Sequence, residues 1–335
     1  MLVPAIVAVL FFGLLAGGLV PGAYRGGPGE AAFAGVPPPP PHLESAAAIL
    51  VDIDTGRILL AKRAHDRHPA GELSKIVAAL VLVEQGDLDG AARISREAAN
   101  ASGWGMSVAE GDLVPLADLL TIMMHRPGPA AALAVAEHVA GSAAAFARHM
   151  NAYGIRAGAG SSHFAGPDDA GNRSTAYDLA RIALAALDHP AFVDAVSRTR
   201  SALGWNGRSV INVNSLLLLE PGAYGIKTSF TPESGYSLAL AVSREGRRLL
   251  VVLLGSPEAR SRRLDAQSLI NYGIANFAAL SASPAVELDR YVVREGDTLT
   301  ELAERFDVPI SAIRLLNGIG DPESLRAGDT LWIPR

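Results

Sequence analysis

The sequence predicts an α+β fold, an antiparallel sheet with helices packed on it, followed by a small βααβ module. Three observations point there. Near the start, Ile49 to Asp52, a turn at Asp54-Thr55-Gly56 and Arg57 to Lys62 read as a hairpin. Helical patterns follow near 74–85, 116–125, 130–140, 143–153 and 175–188, then strands near 236–243 and 248–255 joined at Glu245-Gly246, and a long helix over about 258–278. Strands, then helices, then strands is the order of a sheet layered with helices. From Tyr291 onward the pattern changes to strand, helix, helix, strand.

Composition sets the limits. The 335 residues suit two domains plus extensions, and 49% hydrophobic residues can fill a large core. A net charge of −5 argues against a nucleic-acid partner. The absence of cysteine excludes disulfides and thiolate metal sites. Basic charge is almost all arginine, and the only lysines are Lys62, Lys75 and Lys227, so a lysine at a motif position stands out. Among the eight histidines, His65 and His68 are close but lack a third ligand at fixed spacing. His125, His138, His149 and His163 fall on or near helix surfaces, and neither metal nor cofactor is expected.

Residues 2 to 20 carry no charge and as a helix would reach about 28 Å, close to a bilayer core. Residues 1–23 therefore read as a signal peptide or membrane anchor, although no Lys or Arg precedes the apolar run. Ala32-Phe33-Ala34 has the look of a cleavage site but lies far from the end of that run, which leaves cleavage and anchoring both open. Residues 24–45 form a Pro/Gly-rich linker in which Pro37 to Pro41 make a stiff spacer, expected to hold the next domain off a membrane.

The segment Arg67 to Glu84, RHPAGELSKIVAALVLVE, reads as a loop feeding an apolar helix, with Ile76, Val77, Leu80, Val81 and Val83 turned inward and Lys75 at its mouth. It resembles the catalytic entry of the serine D-alanyl-D-alanine carboxypeptidases, the low-molecular-mass penicillin-binding proteins. There a P-A-S-x-x-K segment sets a serine one turn before a lysine, because a hydroxyl attacks only when a neighbouring base takes its proton. Three residues before Lys75 stands Glu72; Ser74 is adjacent in sequence, and adjacent helical residues do not face each other. The resemblance runs from about Ala46 to Phe277 and implies a penicillin-recognising serine hydrolase fold, β-lactamase/transpeptidase-like, over 46–279.

The family's second motif, S-G-N, falls on His125-Arg126-Pro127-Gly128-Pro129-Ala130-Ala131, with Arg126 in the serine's place and Gly128 in the asparagine's. Neither can relay a proton as a hydroxyl does. Pro-Gly-Pro reads instead as a rigid turn, with Pro129 suited to open the next helix. The third motif, K-T-G, appears as Lys227-Thr228-Ser229, and the resemblance implies that Lys75, Lys227 and Thr228 attract a substrate carboxylate. Ser229 in place of glycine would narrow that slot. Glu72 is expected either to pair with Lys75 and Lys227 in the cleft or to lie solvated on its loop, since the extra residue after Pro69-Ala70 can displace it.

After a linker over 280–289, residues 290–335 look like a LysM domain: strand Tyr291–Val293, an Asp297 or Thr298 cap, a helix faced by Leu302, Ala303 and Phe306, and a helix opened by Pro309 and stopped at Asn317-Gly318. The resemblance implies binding of N-acetylglucosamine glycans through Gly296, Asp297, Thr298, Leu299, Asn317, Gly318 and Ile319. The expectation is thus an exported bacterial envelope protein that binds peptidoglycan stem peptide and glycan without hydrolysing them. The alternatives are a working carboxypeptidase using Ser74, and an inert scaffold localised by LysM.

Overall fold

The structure is a computed structural model that describes residues 37–103, 107–167, 171–283, 285–306, 308–317, 319 and 325–334. The expected export segment lies outside these residues. The first hairpin is β1 (Ala47–Asp52) and β2 (Ile58–Lys62), paired antiparallel. A 3₁₀ turn over Gly71–Ser74 leads into α1 (Lys75–Gln85), then α2 (Leu116–His125), α3 (Ala130–Ala140), α4 (Ala143–Arg156) and α5 (Ala176–Leu187). Long strands β3 (Ala223–Thr231), β4 (Gly235–Arg244) and β5 (Arg247–Ser256) follow, then α6 (Ala259–Ala275). The last elements are β6 (Val286–Val292), α7 (Leu299–Phe306), α8 (Ile310–Asn317) and β7 (Thr330–Pro334). The α+β layering is as expected, and helix ends are set by local chemistry. Ser142 accepts from the Ala145 amide before α4, Thr175 accepts from the Asp178 amide before α5, and left-handed Gly141 stops α3.

The sheet is covered on both faces, which is why its strands read as continuous apolar runs instead of alternating ones. Ile49, Val51, Leu250 and Val252 point to the core built around α1 and α5; Ala48, Leu50, Leu249 and Val251 point to the core under α6. α1 sits against α3, α4 and α5, and every residue from Lys75 to Leu82 is buried, so the helix is apolar all round except for the lysine at its start.

Two expectations about boundaries change. The 280–289 linker is largely structured: a helical turn runs Phe277–Ala282 and β6 begins at Val286, so the second module starts inside a strand. The order of the main sheet is β7-β6-β2-β1-β5-β4-β3, with β6 parallel to β2 at Val286–Leu60 and Leu288–Lys62, and antiparallel to β7 from Leu288 onward. The described part of the proline spacer is not free either. The Tyr272 hydroxyl donates to the Pro38 carbonyl at 2.7 Å, and Pro40 and Leu43 are buried.

All three lysines are inside the protein, with Lys62 3%, Lys75 0% and Lys227 1% exposed. Reductive methylation of the folded protein is therefore expected to leave all three side-chain amines unmodified by mass spectrometry, whereas unfolding in guanidinium chloride should make all three react.

Candidate functional site

The three stretches singled out in the sequence converge between α1, the C-terminal end of α2 and β3. Gly71, the residue extra to the P-A-S-x-x-K pattern, takes a left-handed conformation at φ +51°, and a Cβ there would lie 2.6 Å from Ser229 Oγ. This turn absorbs the additional residue and aims Glu72 inward. The Glu72 amide donates to Ser229 Oγ at 2.9 Å, so the serine in the glycine place of the third motif anchors the turn. Ser74 Oγ donates to the Gly71 carbonyl at 2.8 Å and is fully buried, which commits its hydroxyl to the same turn.

The Glu72 carboxylate lies between two ammoniums. Lys75 Nζ is 2.5 Å from Oε2, and Lys227 Nζ is 3.7 Å from the same oxygen. Oε1 accepts from the Gly128 amide at 3.0 Å, while Lys75 Nζ also donates to the Gly128 carbonyl at 2.6 Å. Gly128 thus holds both halves of the ion pair with its backbone. Its φ is +102°, and a Cβ would meet Gly103 Cα and Ser102 O at 2.7 Å, so the Pro-Gly-Pro turn fits only with glycine at its centre. Lys227 Nζ also donates to the carbonyls of Met123, Met124 and Arg126 at 3.0, 3.2 and 3.4 Å. These lie at the C-terminal end of α2, where carbonyls lack helical partners and the helix dipole is negative.

The cluster settles the alternative left open for Glu72: it pairs with Lys75 and Lys227 and is 5% exposed. Burial alone would raise its pKa, but the Lys227 and Lys75 charges, the Lys75 hydrogen bond and the Gly128 amide outweigh that and hold the carboxyl below its ordinary range. The same cluster bears on the expectation that Lys75 and Lys227 meet a substrate carboxylate. Both ammoniums are buried, and the carboxylate they hold is the protein's own. Thr228 is half-buried on β3 opposite Leu238, and Arg126 contributes its carbonyl to Lys227. The parts of the site that sequence reasoning missed are backbone groups. Of these, only the flanking prolines of Gly128 gave a signal.

The geometry of the C-terminal module also reassigns side chains. Leu299 is buried in the module's own core. Asp297 accepts from the Tyr291 hydroxyl at 2.6 Å and the Arg294 amide at 2.7 Å, and the Tyr291 bond is the first of the causes that lower its pKa. Thr298 and Glu301 form a reciprocal capping box at the start of α7. Asn317 clamps the backbone of Trp332, accepting from its amide at 2.6 Å and donating to its carbonyl at 2.8 Å. Gly296 sits in a left-handed turn, Ile319 packs on the module core, and Gly318 lies outside the described residues. Within the module, the side chains of Asp297, Thr298, Leu299 and Asn317 thus hold its own turns and core together.

Comparison with known proteins agrees with this architecture. The profile of the D-alanyl-D-alanine carboxypeptidases matches residues 34–258. The chain belongs to that family. Residues 291–334 match the LysM domain. The Escherichia coli D-alanyl-D-alanine carboxypeptidase DacD is 30% identical over 264 residues, 72% of this chain and 66% of its own length. The chain therefore spans a little under two thirds of that relative. The Streptomyces K15 DD-transpeptidase superposes with a TM-score of 0.65 at 28% identity, over 70% of this chain and 99% of that one. The penicillin-binding protein homologue Rv2911 of Mycobacterium tuberculosis gives 0.68 at 26% identity, over 72% and 95%.

Removing the Glu72 charge from this carboxypeptidase-family cleft leaves two buried ammoniums facing each other. Glu72→Gln is expected to lower unfolding free energy by about 3–5 kcal/mol at neutral pH, measured by urea denaturation. Because the folded carboxyl titrates below the ordinary carboxylate range, its contribution is fully present at and above that range and is lost as pH falls through the folded value. The stability gap between wild type and Glu72→Gln should narrow in acid.

Proposed function

We propose that this member of the carboxypeptidase family is an exported, non-hydrolytic peptidoglycan binder of the bacterial envelope, attached to the wall through its LysM module. The observation that carries the loss of hydrolysis is the position of Glu72. It stands three residues before Lys75, where the family's nucleophile would be, and its carboxylate binds the lysine that would serve as base. An ammonium donating to Glu72 and Gly128 is not placed to accept a proton, and a carboxylate in this pair is not an acyl acceptor. Ser74, the fallback nucleophile, is buried and hydrogen-bonded to a carbonyl, which argues against the reading as a working enzyme.

The internal pairing of Lys75 and Lys227 also shifts weight from stem-peptide binding toward a scaffold that recognises the wall through glycan. The relatives' names carry an activity on D-alanyl-D-alanine; here the two lysines that would draw such a carboxylate are satisfied from within. The LysM match supports glycan binding and a place at the cell wall. Backbone groups beside Gly296 and Asn317 would contribute to it, and a membrane contact would come through residues 1–23.

Incubation with a fluorescent penicillin is expected to leave the full chain unlabelled, since acylation needs a live serine. A covalent band that disappears in Ser74→Ala would overturn the non-hydrolytic reading. The full chain is expected to sediment with purified peptidoglycan, to be released by soluble N-acetylglucosamine oligomers, and to show no saturable binding of a D-Ala-D-Ala peptide by calorimetry.

A further inference from the structure

The third lysine lies away from the cleft, at the end of β2. Lys62 Nζ donates to the carbonyls of Leu43 at 2.6 Å and Ser45 at 2.8 Å, and stands 4.3 Å from the centre of the Trp332 ring. Asp265, which accepts from the Ser45 amide at 2.7 Å, supplies the nearby negative charge. Lys62, on β2, therefore touches two separate pieces of the chain: the segment just after the prolines and the LysM strand β7. Other contacts follow the same seam. His42 Nδ1 donates to the Leu316 carbonyl at 2.8 Å, and Arg57 donates to the Ser283 carbonyl. Leu316, Val286 and Leu288 are buried in one core with Leu43, Leu59 and Leu60, and Trp332 packs on it.

A tethered module would need none of this. β6 instead gives its first residues to β2 and its last to β7, so one strand belongs to both parts and covers an edge that would otherwise offer unpaired backbone groups. A compact ammonium on a four-carbon stem can reach two carbonyls while lying under an indole, a geometry the planar guanidinium used elsewhere in this chain does not match.

We infer that Lys62 is a positioning residue that locks the LysM module onto the carboxypeptidase-like sheet, so that the two form one cooperative body and Asn317 takes its place from outside the module. Trp332 transmits the position, because its backbone is clamped by the Asn317 amide. The glycan part of this inference rests on the LysM reading above; the docking part does not.

Hydrogen exchange on the full chain tests it. In the wild type, the strand-paired amides of 286–292 and 330–333 should be as protected as those of 249–254, because they open only with the whole body. Lys62→Met and Trp332→Leu should each raise exchange of those amides in 286–292 and 330–333 at least tenfold while 249–254 stays protected. Should Lys62→Met fail to fold, Trp332→Leu still breaks the seam and leaves the lysine's carbonyl bonds in place. LysM amides that exchange far faster than β5 in the wild type, or variant rates within twofold of it, would overturn the inference. Chitotetraose affinity of the full chain should fall severalfold in both variants. A wild type that shows the expected protection but binds no chitotetraose would sink the glycan reading and leave the docking standing.

Discussion

Three charged side chains share one dry site, and that burial constrains everything around it. Moving a carboxylate or an ammonium out of water costs several kcal/mol per ion even after the protein relaxes, so the cluster persists only if each charge is met. Glu72 offsets one of the two lysine charges. The second is met by the C-terminal carbonyls of α2, whose aligned peptides carry roughly half a negative charge. The left-handed Gly71, the Pro127-Gly128-Pro129 turn and the Ser229 hydroxyl are what this geometry requires: one aims the carboxylate, one brackets it and one holds its amide. Change any of the three and a buried charge loses a partner.

The same scaffold geometry can serve opposite ends. A lysine one helical turn after a hydroxyl is a base beside a nucleophile; one turn after a carboxylate, it is half of an ion pair. Only the residue at the earlier position decides between them, and the long strand carrying Lys227 fits either case. A family match across 34–258 is compatible with either arrangement at that position. Stability does not ask for the hydroxyl. It asks that the lysines at the mouth of α1 and on β3 face something negative.

Much of this was legible in the sequence, for physical reasons that differ by element. Helix positions could be read because caps and apolar periodicity are local: Thr175 before α5 and the Asn317 stop of α8 act within a few residues. The pairing of Glu72 with Lys75 was legible from spacing. That Gly128 would hold both was not, because a backbone group leaves no residue-type signature. The β6 strand had a readable cue in Val286-Glu287-Leu288-Asp289, whose alternation matches the burial observed, but its partner β2 lies more than two hundred residues earlier and a local pattern cannot name it. For the LysM loops, Asp297, Thr298 and Asn317 were read as ligand contacts because polar residues in loops serve either purpose, and here the backbone claimed them first.

Sheet order separates the molecule's two working regions. β3, which carries Lys227, forms one edge and β7 the other, six strand spacings or about 29 Å apart across the sheet. A ligand held at the LysM edge therefore leaves the strand that carries Lys227 untouched. The connection between the two is mechanical: β2 is hydrogen-bonded to β1 on one side and to the LysM strand β6 on the other. The sheet is thus the frame that carries the charge cluster at one edge and holds the second module at the other.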